Sequence, residues 1–551
     1  MHFRYFKQVG LGTAPHSRIR GAESGSVMVM FTMMMPFLLV PLVGLAIDAT
    51  MLFSVRAKLQ TAVDGGAIAA AQSLNSGLTF TTQKATAEKT ADQFIRANFP
   101  VAGAFTGYTG YWQSFNLKDG STDCGGSPCI VAAQDDANKR RTVTVTARVS
   151  VPLLFMRILG FSTGTVSATG QAARRDVVLV LVLDRSSSMT PALASLQAGA
   201  TYFVSQFQAG RDRLGLVAFG GSALVAYPPT DWGKDPNTAT LAGPDTSFEN
   251  TPDSSASPNI LTSISNIAIG SNTGTAEALI LAYKELKAAN QPGALNVIVL
   301  WTDGQPNGIT ANFNNSTGTG VITSNCTHKT DGGVSANSMI GWMAQWGGFV
   351  SGLTPPYGRG IYTRSQTDTT TQTSVTNWLI NGSEPVIGSP PSANCAYVSN
   401  QANIPSDLTI PTVDLYGNST TGSTTAPYTA LDYQQSEIWG NECNNGSRTA
   451  LNLSHTADAC QVGLASWNAV DMAGKLIRSD TTLLPIIYCM GYEGNGGDDP
   501  ALMRRLSNVN VASNTVFDST KPQGMYLQIA TVNDIKPAFQ NVLAEILRLS
   551  M

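Results

Sequence analysis

Eight residues, Asp176-Val-Val-Leu-Val-Leu-Val-Leu183, leave few folds open to this chain. A continuous apolar run rich in β-branched side chains fits a strand buried on both faces, as in a parallel sheet covered by helices on each side. The pattern recurs. A helical segment follows to Phe207, then Arg213 to Phe219 reads as a strand. Thr275 to Ala288 is helical, with Ala278, Leu279, Leu281, Ala282 and Leu286 periodic, and Leu295 to Trp301 is a third buried strand. Toward the end, Thr482 to Cys489 and Met525 to Ile529 read as strands. Asp499 to Leu506 reads as a helix with proline at its start, and Asp534 to Leu549 as an amphipathic helix. Alternating strands and helices predict a doubly wound, Rossmann-like α/β domain over 173–551.

Chemistry gathers at the strand ends. The first strand runs into Asp184-Arg-Ser186-Ser-Ser188, and the third into Thr302-Asp303-Gly304. In doubly wound sheets ligands bind beyond the carboxyl ends of the strands, where strand order reverses. Asp184, Ser186, Ser188 and Asp303 can present oxygens there. Carboxylates and hydroxyls suit a hard divalent cation; thiols and imidazoles do not. The structural alternative is that Asp184 and the serines cap the following helix.

The N-terminal part has a different texture. Val27 to Ile47 carries no charge and is long enough as a helix to cross a hydrocarbon core of roughly 30 Å. Pro36 and Pro41 predict a kink rather than a break. A cleaved signal peptide is the alternative, but the run exceeds a signal h-region and no A-x-A site follows. Arg4, Lys7, Arg18 and Arg20 precede the run against Glu23 alone. The positive-inside rule therefore expects a single-pass anchor at 26–48, with residues 1–25 cytoplasmic and the bulk outside. The small-residue stretch from Phe53 to Gln72 continues as helix, either packed on a partner or as a solvated stalk. Thr82 to Phe99 reads as an amphipathic helix with Ala85, Ala91, Phe94 and Ile95 on one side. Arg141 to Pro152 alternates with period two and Ser162 to Ala172 is β-rich, so 76–172 is expected to form a small α/β or β-rich module.

With 13% charged residues and a net charge of −3, the chain offers no basic stripe for nucleic acid. No G-x-S-x-G elbow, Walker loop or H-E-x-x-H points to catalysis, so no enzyme and no small-molecule substrate is expected. The seven cysteines include no C-x-x-C pair, which argues against a zinc ribbon. Cys124 and Cys129 could close a small loop, and Cys489, in an apolar run, reads as a buried free thiol. Residues 306–462 separate two halves of the α/β domain and hold Cys326, Cys395, Cys443 and Cys460 with Trp342, Trp346, Trp378 and Trp439. This segment reads as an inserted subdomain near the strand-end site. Its cysteines are either disulfide-paired or free.

Two resemblances follow from these residues. Gly25-Ser-Val-Met-Val-Met-Phe, the apolar run, Asp48, Lys58-Leu-Gln and Ala62-Val-Asp64 running into Ala67-Ile-Ala-Ala-Ala-Gln72 resemble the N-terminal region of TadE/TadG-like proteins of the tight-adherence (Flp-type) pilus system. No glycine stands five residues before a glutamate ahead of the run, unlike a prepilin processing site. The D-x-S-x-S, threonine and T-D-G series resembles the metal-ion-dependent adhesion site of von Willebrand factor A (VWA) domains. That resemblance implies Asp184, Ser186, Ser188, Thr273 and Asp303 as the metal set. In it the hydroxyls contact Mg²⁺, or another divalent cation such as Mn²⁺ or Ca²⁺, and the aspartates often act through water. The family usually shows glycines before the threonine; here Ser271-Asn272 stands there, and Thr275 is the alternative to Thr273. Together the resemblances imply a bacterial inner-membrane binding protein acting in pilus assembly or adhesion, with pilus or envelope proteins as partners. The alternatives are a structural brace with a vestigial metal site, or a hydrolase within the insertion.

Overall fold

The computed structural model describes residues 24–74, 80–99, 129–135, 139–314, 338–344, 361–363, 410–422 and 459–550, apart from 222, 233, 235–239, 255, 271 and 495–496. It divides into two compact units: 1–65 with 93–129 and 145–170, and 66–92 with 130–144 and 171–551.

Helix α1 (Ser24–Ser73) is continuous through Pro36 and Pro41. Among the described residues no helix is long and apolar enough to cross a membrane; the side chains at 24–27, 36–38 and 40 lie outside that description. Met28, Phe31, Met34, Leu42 and Leu45 are exposed along the N-terminal half of α1. Beyond Asp48 one face is buried at Val55, Leu59, Ala62, Val63, Ala67, Ala70 and Ala71, so the small-residue stretch is a packed helix and not a stalk.

Helix α2 spans Phe80–Asn98. Its buried positions are Gln83, Ala87, Ala91 and Ile95, a strict four-residue spacing. Ala85 and Phe94, expected on the buried side, are exposed. The stripe at i, i+4 won over the broader arc read from the sequence. Strands β1 (Ile130–Asp135), β2 (Arg140–Pro152) and β3 (Thr163–Arg175) form a sheet in that order. The alternation read in β2 holds: Val143, Val145, Ala147, Val149 and Val151 are all buried.

The larger sheet has six strands: β4 (Val177–Asp184), β5 (Arg213–Phe219), β6 (Ala223–Tyr227), β7 (Leu295–Thr302), β11 (Ile486–Tyr492) and β12 (Tyr526–Ile529). Their order is β12-β11-β7-β4-β5-β6, and only the β5–β6 pairing is antiparallel. β4 lies centrally and is buried throughout. Its alternate residues feed two cores. Val177, Leu179, Leu181 and Leu183 pack with helices α3 (Leu193–Val204) and α8 (Ile535–Ser550). Val178, Val180 and Val182 pack with α5 (Thr275–Ala289), α6 (Ala459–Ser479) and α7 (Pro500–Leu506). A short α4 (Ile260–Ser265) precedes α5. This two-faced burial is why the strand sequences are apolar at consecutive positions.

Two boundaries differ from the sequence reading. Strand β11 starts four residues later than Thr482, because Asp480 accepts the amides of Thr482 and Leu483 and Leu484 has φ +49°. That turn delays the strand, which runs on to Tyr492. Helix α6, unread in the sequence, begins inside the expected insertion at Ala459 and buries Trp467, Ala469, Val470 and Ala473.

Within 306–462, β8 (Gly308–Asn314), β9 (Ser338–Ala344) and β10 (Ile361–Thr363) form an antiparallel sheet ordered β10-β9-β8. Cys326, Cys395, Cys443, Trp346, Trp378 and Trp439 lie outside the described residues, as do Cys124 and the side chains of Trp342 and Cys460. The pairing expected among the four insertion cysteines therefore also lies outside them. Cys129 is disulfide-bonded, and Cys489 is the buried free thiol expected.

Candidate metal centre

β4 and β7 are parallel neighbours, so the residues that follow them emerge side by side at the carboxyl edge of the sheet. The chain passes from β4 to β5 on one side and later to β7 on the other, which makes this the point where strand order reverses.

Asp184, the last residue of β4, is fully buried. Its Oδ1 accepts the Ser186 amide at 2.7 Å and its Oδ2 accepts the Thr302 hydroxyl at 2.6 Å. Asp303, the first residue past β7, is buried too, and its Oδ1 accepts the Ser188 hydroxyl at 2.8 Å and the Ser186 hydroxyl at 3.3 Å. The two serine hydroxyls stand 2.9 Å apart. Asp303 Oδ2 is buried with no hydrogen-bond partner.

Thr273 is held by a reciprocal pair of bonds: its amide donates to Asn307 Oδ1 at 2.7 Å, and the Asn307 amide donates to its carbonyl at 3.0 Å. A Cβ on Gly304 would stand 3.0 Å from Thr273 Oγ1 and 3.8 Å from Asp184 Oδ2, so those two oxygens flank one corner. Gly274 presses on the carbonyl of Gly221, where a side chain would collide, and its amide donates to Gly220 at 2.6 Å. Asn272, at φ +54°, supplies the left-handed residue that a glycine would otherwise provide.

All five residues expected at the site converge, and Thr273 is the threonine of the corner. Thr275 instead opens α5 with its hydroxyl buried and unpartnered. Thr302 and Asn307 position the set without having been singled out. Thr302 was visible inside the T-D-G motif; nothing in the sequence marked Asn307.

The donors are chemically uniform: two carboxylates and three hydroxyls. Burial, then repulsion from Asp184, raises the Asp303 carboxyl well above the ordinary carboxylate range. Burial raises Asp184 as well, opposed by its bonds from Thr302 and Ser186. Two crowded carboxylates, one with an orphan buried oxygen, and adjacent hydroxyls suit a hard cation that keeps some water ligands. Among the described residues there is no cluster of three or more His, Cys, Asp or Glu, so the hydroxyls would have to complete the set.

Nearby, Glu277 in the first turn of α5 ties the insertion to this edge. It accepts the hydroxyls of Thr310 and Tyr416, each at 2.8 Å, and the Ala223 amide at 3.2 Å.

Comparison with known families matches three successive stretches of the chain. Residues 25–73 match the Flp pilus-assembly TadE/G-like family, 69–172 the Tad-like Flp pilus-assembly family, and 179–305 the von Willebrand factor type A domain. No curated protein sequence matches. Among solved structures, the pilus adhesin SpaC of Lactobacillus rhamnosus GG aligns at 12% identity over 76% of this chain and 33% of its own, with a TM-score of 0.30. The chain thus spans about a third of that adhesin. The PilB minor pilin of Streptococcus sanguinis aligns at 13% identity over 77% and 78% of the two chains, with a TM-score of 0.31. The vWF domain of the type V pili tip protein Mfa5 of Porphyromonas gingivalis aligns at 14% over 69% and 98%, with a TM-score of 0.30. At those scores the fold rests on the strand order above. With its family matches following one another along the sequence, the chain joins a TadE/G-like segment and a Tad-like segment of the Flp pilus-assembly families to a von Willebrand factor type A domain.

Proposed function

We propose that this is a membrane-anchored, extracytoplasmic binding protein of the tight-adherence pilus system, and not an enzyme, which engages a protein partner through a divalent cation at the VWA edge. The observation that carries the reading is the convergence of Asp184, Ser186, Ser188, Thr273 and Asp303 from three separated segments onto one oxygen-lined corner. Ser186, Ser188 and Thr273 would hold Mg²⁺, or Mn²⁺ or Ca²⁺, through their hydroxyls, with the aspartates balancing its charge. The cation supplies Lewis acidity toward a partner's carboxylate. The partner belongs among pilus or envelope proteins.

The anchor reading rests on the uncharged run Val27–Ile47, its continuity as helix and the basic residues ahead of it. It places the N-terminus in the cytoplasm of a bacterial inner membrane and the VWA domain beyond it. A pulldown from detergent-solubilised membranes, run with Mg²⁺, with chelator and with Asp184→Ala, tests the metal mechanism. Partners retained with Mg²⁺ and lost in the other two arms are the expected result. Partners retained in all three arms would remove the cation from the mechanism.

A further inference from the structure

The turn between β2 and β3 exposes a cluster of large apolar side chains. Ile158 is 81% exposed, and Leu154, Leu159 and Phe161 are each at least half exposed. The turn is well formed. Met156–Leu159 makes one 3-10 turn, Gly160 closes it at φ +95°, and the amides of Gly160 and Phe161 donate to Arg157 and Met156. An ordered turn presenting four apolar residues to water is costly unless another phase covers them.

Its position along α1 indicates which phase. Asp48, buried at the end of the apolar run, accepts the amides of Leu154, Phe155 and Met156 at 2.9, 3.0 and 2.8 Å. Phe155 covers Gly44, one helical turn nearer the N-terminus, so closely that a Cβ there would lie 2.6 Å from its side chain. Leu52, one turn in the other direction, packs against Gly164 in β3. Farther on, Gln60 bonds the Thr169 carbonyl and Asp64 lies against Gly170. From Gly164 to Gly170 a strand advances about 20 Å, and from Leu52 to Asp64 a helix advances about 18 Å. β3 therefore climbs alongside α1 in step with it, and the turn at its lower end points back toward the apolar N-terminal half of the helix.

We infer that the 154–161 turn is a second membrane contact, seated in the outer leaflet of the bilayer beside α1. This rests on the reading of α1 as a membrane span. If Val27–Ile47 crosses the hydrocarbon core, Gly44 lies within its outer edge, and the turn packed at Gly44 reaches the same depth. Ile158, Leu159 and Phe161 then meet acyl chains. Arg157, exposed on the same turn, extends to the phosphate layer as amphipathic cations do at such boundaries. Asp48 fixes the depth: its charge is met by three amides at the membrane edge, so the anchor and the turn move as one.

The test is photocrosslinking of the full chain in proteoliposomes of phosphatidylethanolamine and phosphatidylglycerol. A benzophenone amino acid replaces, one at a time, Leu39 on α1, Ile158 on the turn and Ser167 on β3, all exposed positions. Lipid adducts are then counted by mass spectrometry. The expected result is strong lipid labelling at 39 and 158 and at least a tenfold loss at 167. Labelling at 39 but not at 158 overturns the turn contact while leaving the anchor standing. Labelling at none of the three overturns both. Equal labelling at 158 and 167 makes the adducts nonspecific, and protein adducts in place of lipid at 158 give the turn to a neighbouring subunit; either result ends the proposal.

Discussion

Ser188 Oγ donates to Asp303 Oδ1 at 2.8 Å, joining the loop after β4 to the loop after β7 across 115 residues of sequence. The bond leaves the other Asp303 oxygen buried and unpartnered. On the proposed reading, a cation bound at this corner would balance the charge of this carboxylate. Mg²⁺ at about a hundred times its dissociation constant should stabilise the folded domain by about 2.7 kcal/mol. Calorimetry with Mg²⁺ and with chelator should show the corresponding rise in Tm for the natural chain and none for Asp303→Asn. A rise of equal size in Asp303→Asn would place the cation elsewhere.

Thr302 holds Asp184 through a 2.6 Å bond inside a buried site. Replacing Thr302 by Val keeps the shape and leaves that carboxylate oxygen without its donor. A loss of about 1–3 kcal/mol in denaturant unfolding in chelator is expected. An unchanged midpoint would show that the carboxylate finds another donor.

Gly199 on α3 faces Phe539 on α8, where a Cβ would lie 2.7 Å from the ring. Phe539 stacks on Trp301 and packs against Phe203. Gly199→Ala should cost about 1–3 kcal/mol by overpacking, and Phe539→Ala about 3–5 kcal/mol by leaving a cavity. Urea denaturation measures both, and a neutral Gly199→Ala would mean the two helices separate easily.

Asp498 and Asp414 are buried carboxyls, each pushed up to about 6, burial being the first cause in both. Their folded-state values lie above the roughly 3.9 of an unfolded aspartate, so the folded protein binds these protons more tightly. The stability they contribute is present below about pH 4 and is lost as pH rises toward 6, by up to about 3 kcal/mol for each. Asp498→Asn, which can still accept the Tyr526 hydroxyl (2.8 Å), should flatten its share of that slope. A stability profile between pH 4 and 7 unchanged by the substitution would contradict the assignment.

Cys489 is fully buried on β11, and burial raises its thiol far above the ordinary range. Thiolate is the reactive form, so iodoacetamide should leave Cys489 unmodified in the folded chain and alkylate it in denaturant. Peptide mass spectrometry reads this directly; rapid labelling under native conditions would place the thiol in solvent.

The central strands were legible because β4 and β7 are apolar at consecutive positions, a pattern that only burial on two faces requires. Asp184 and Asp303 were legible because each ends such a run. β1, β6, the insertion strands β8–β10, α4 and α6 were not read. β6 is a five-residue antiparallel edge and α4 spans only six residues, too short for periodicity to speak. α6 begins inside a polar stretch whose composition masks its start. α2 was read at the right place with half of its buried face: Ala91 and Ile95 are buried as expected, while Ala85 and Phe94 lie off the stripe set by Gln83, Ala87, Ala91 and Ile95.

By itself, then, the sequence determined that the apolar central segments β4, β5 and β7 must be strands and that two aspartates end on the same sheet edge, since hydrophobic periodicity is a local property of the chain. Only tertiary structure decided that Thr273 and not Thr275 meets them, that Asn307 holds Thr273 in place, and that Asp48 clamps a turn more than a hundred residues away. Those choices depend on the backbone approach at Gly274 and on the side chains that close over Gly304 and Gly44, and the distance between two loops is fixed by how the sheet and helices pack, not by any pattern within either loop.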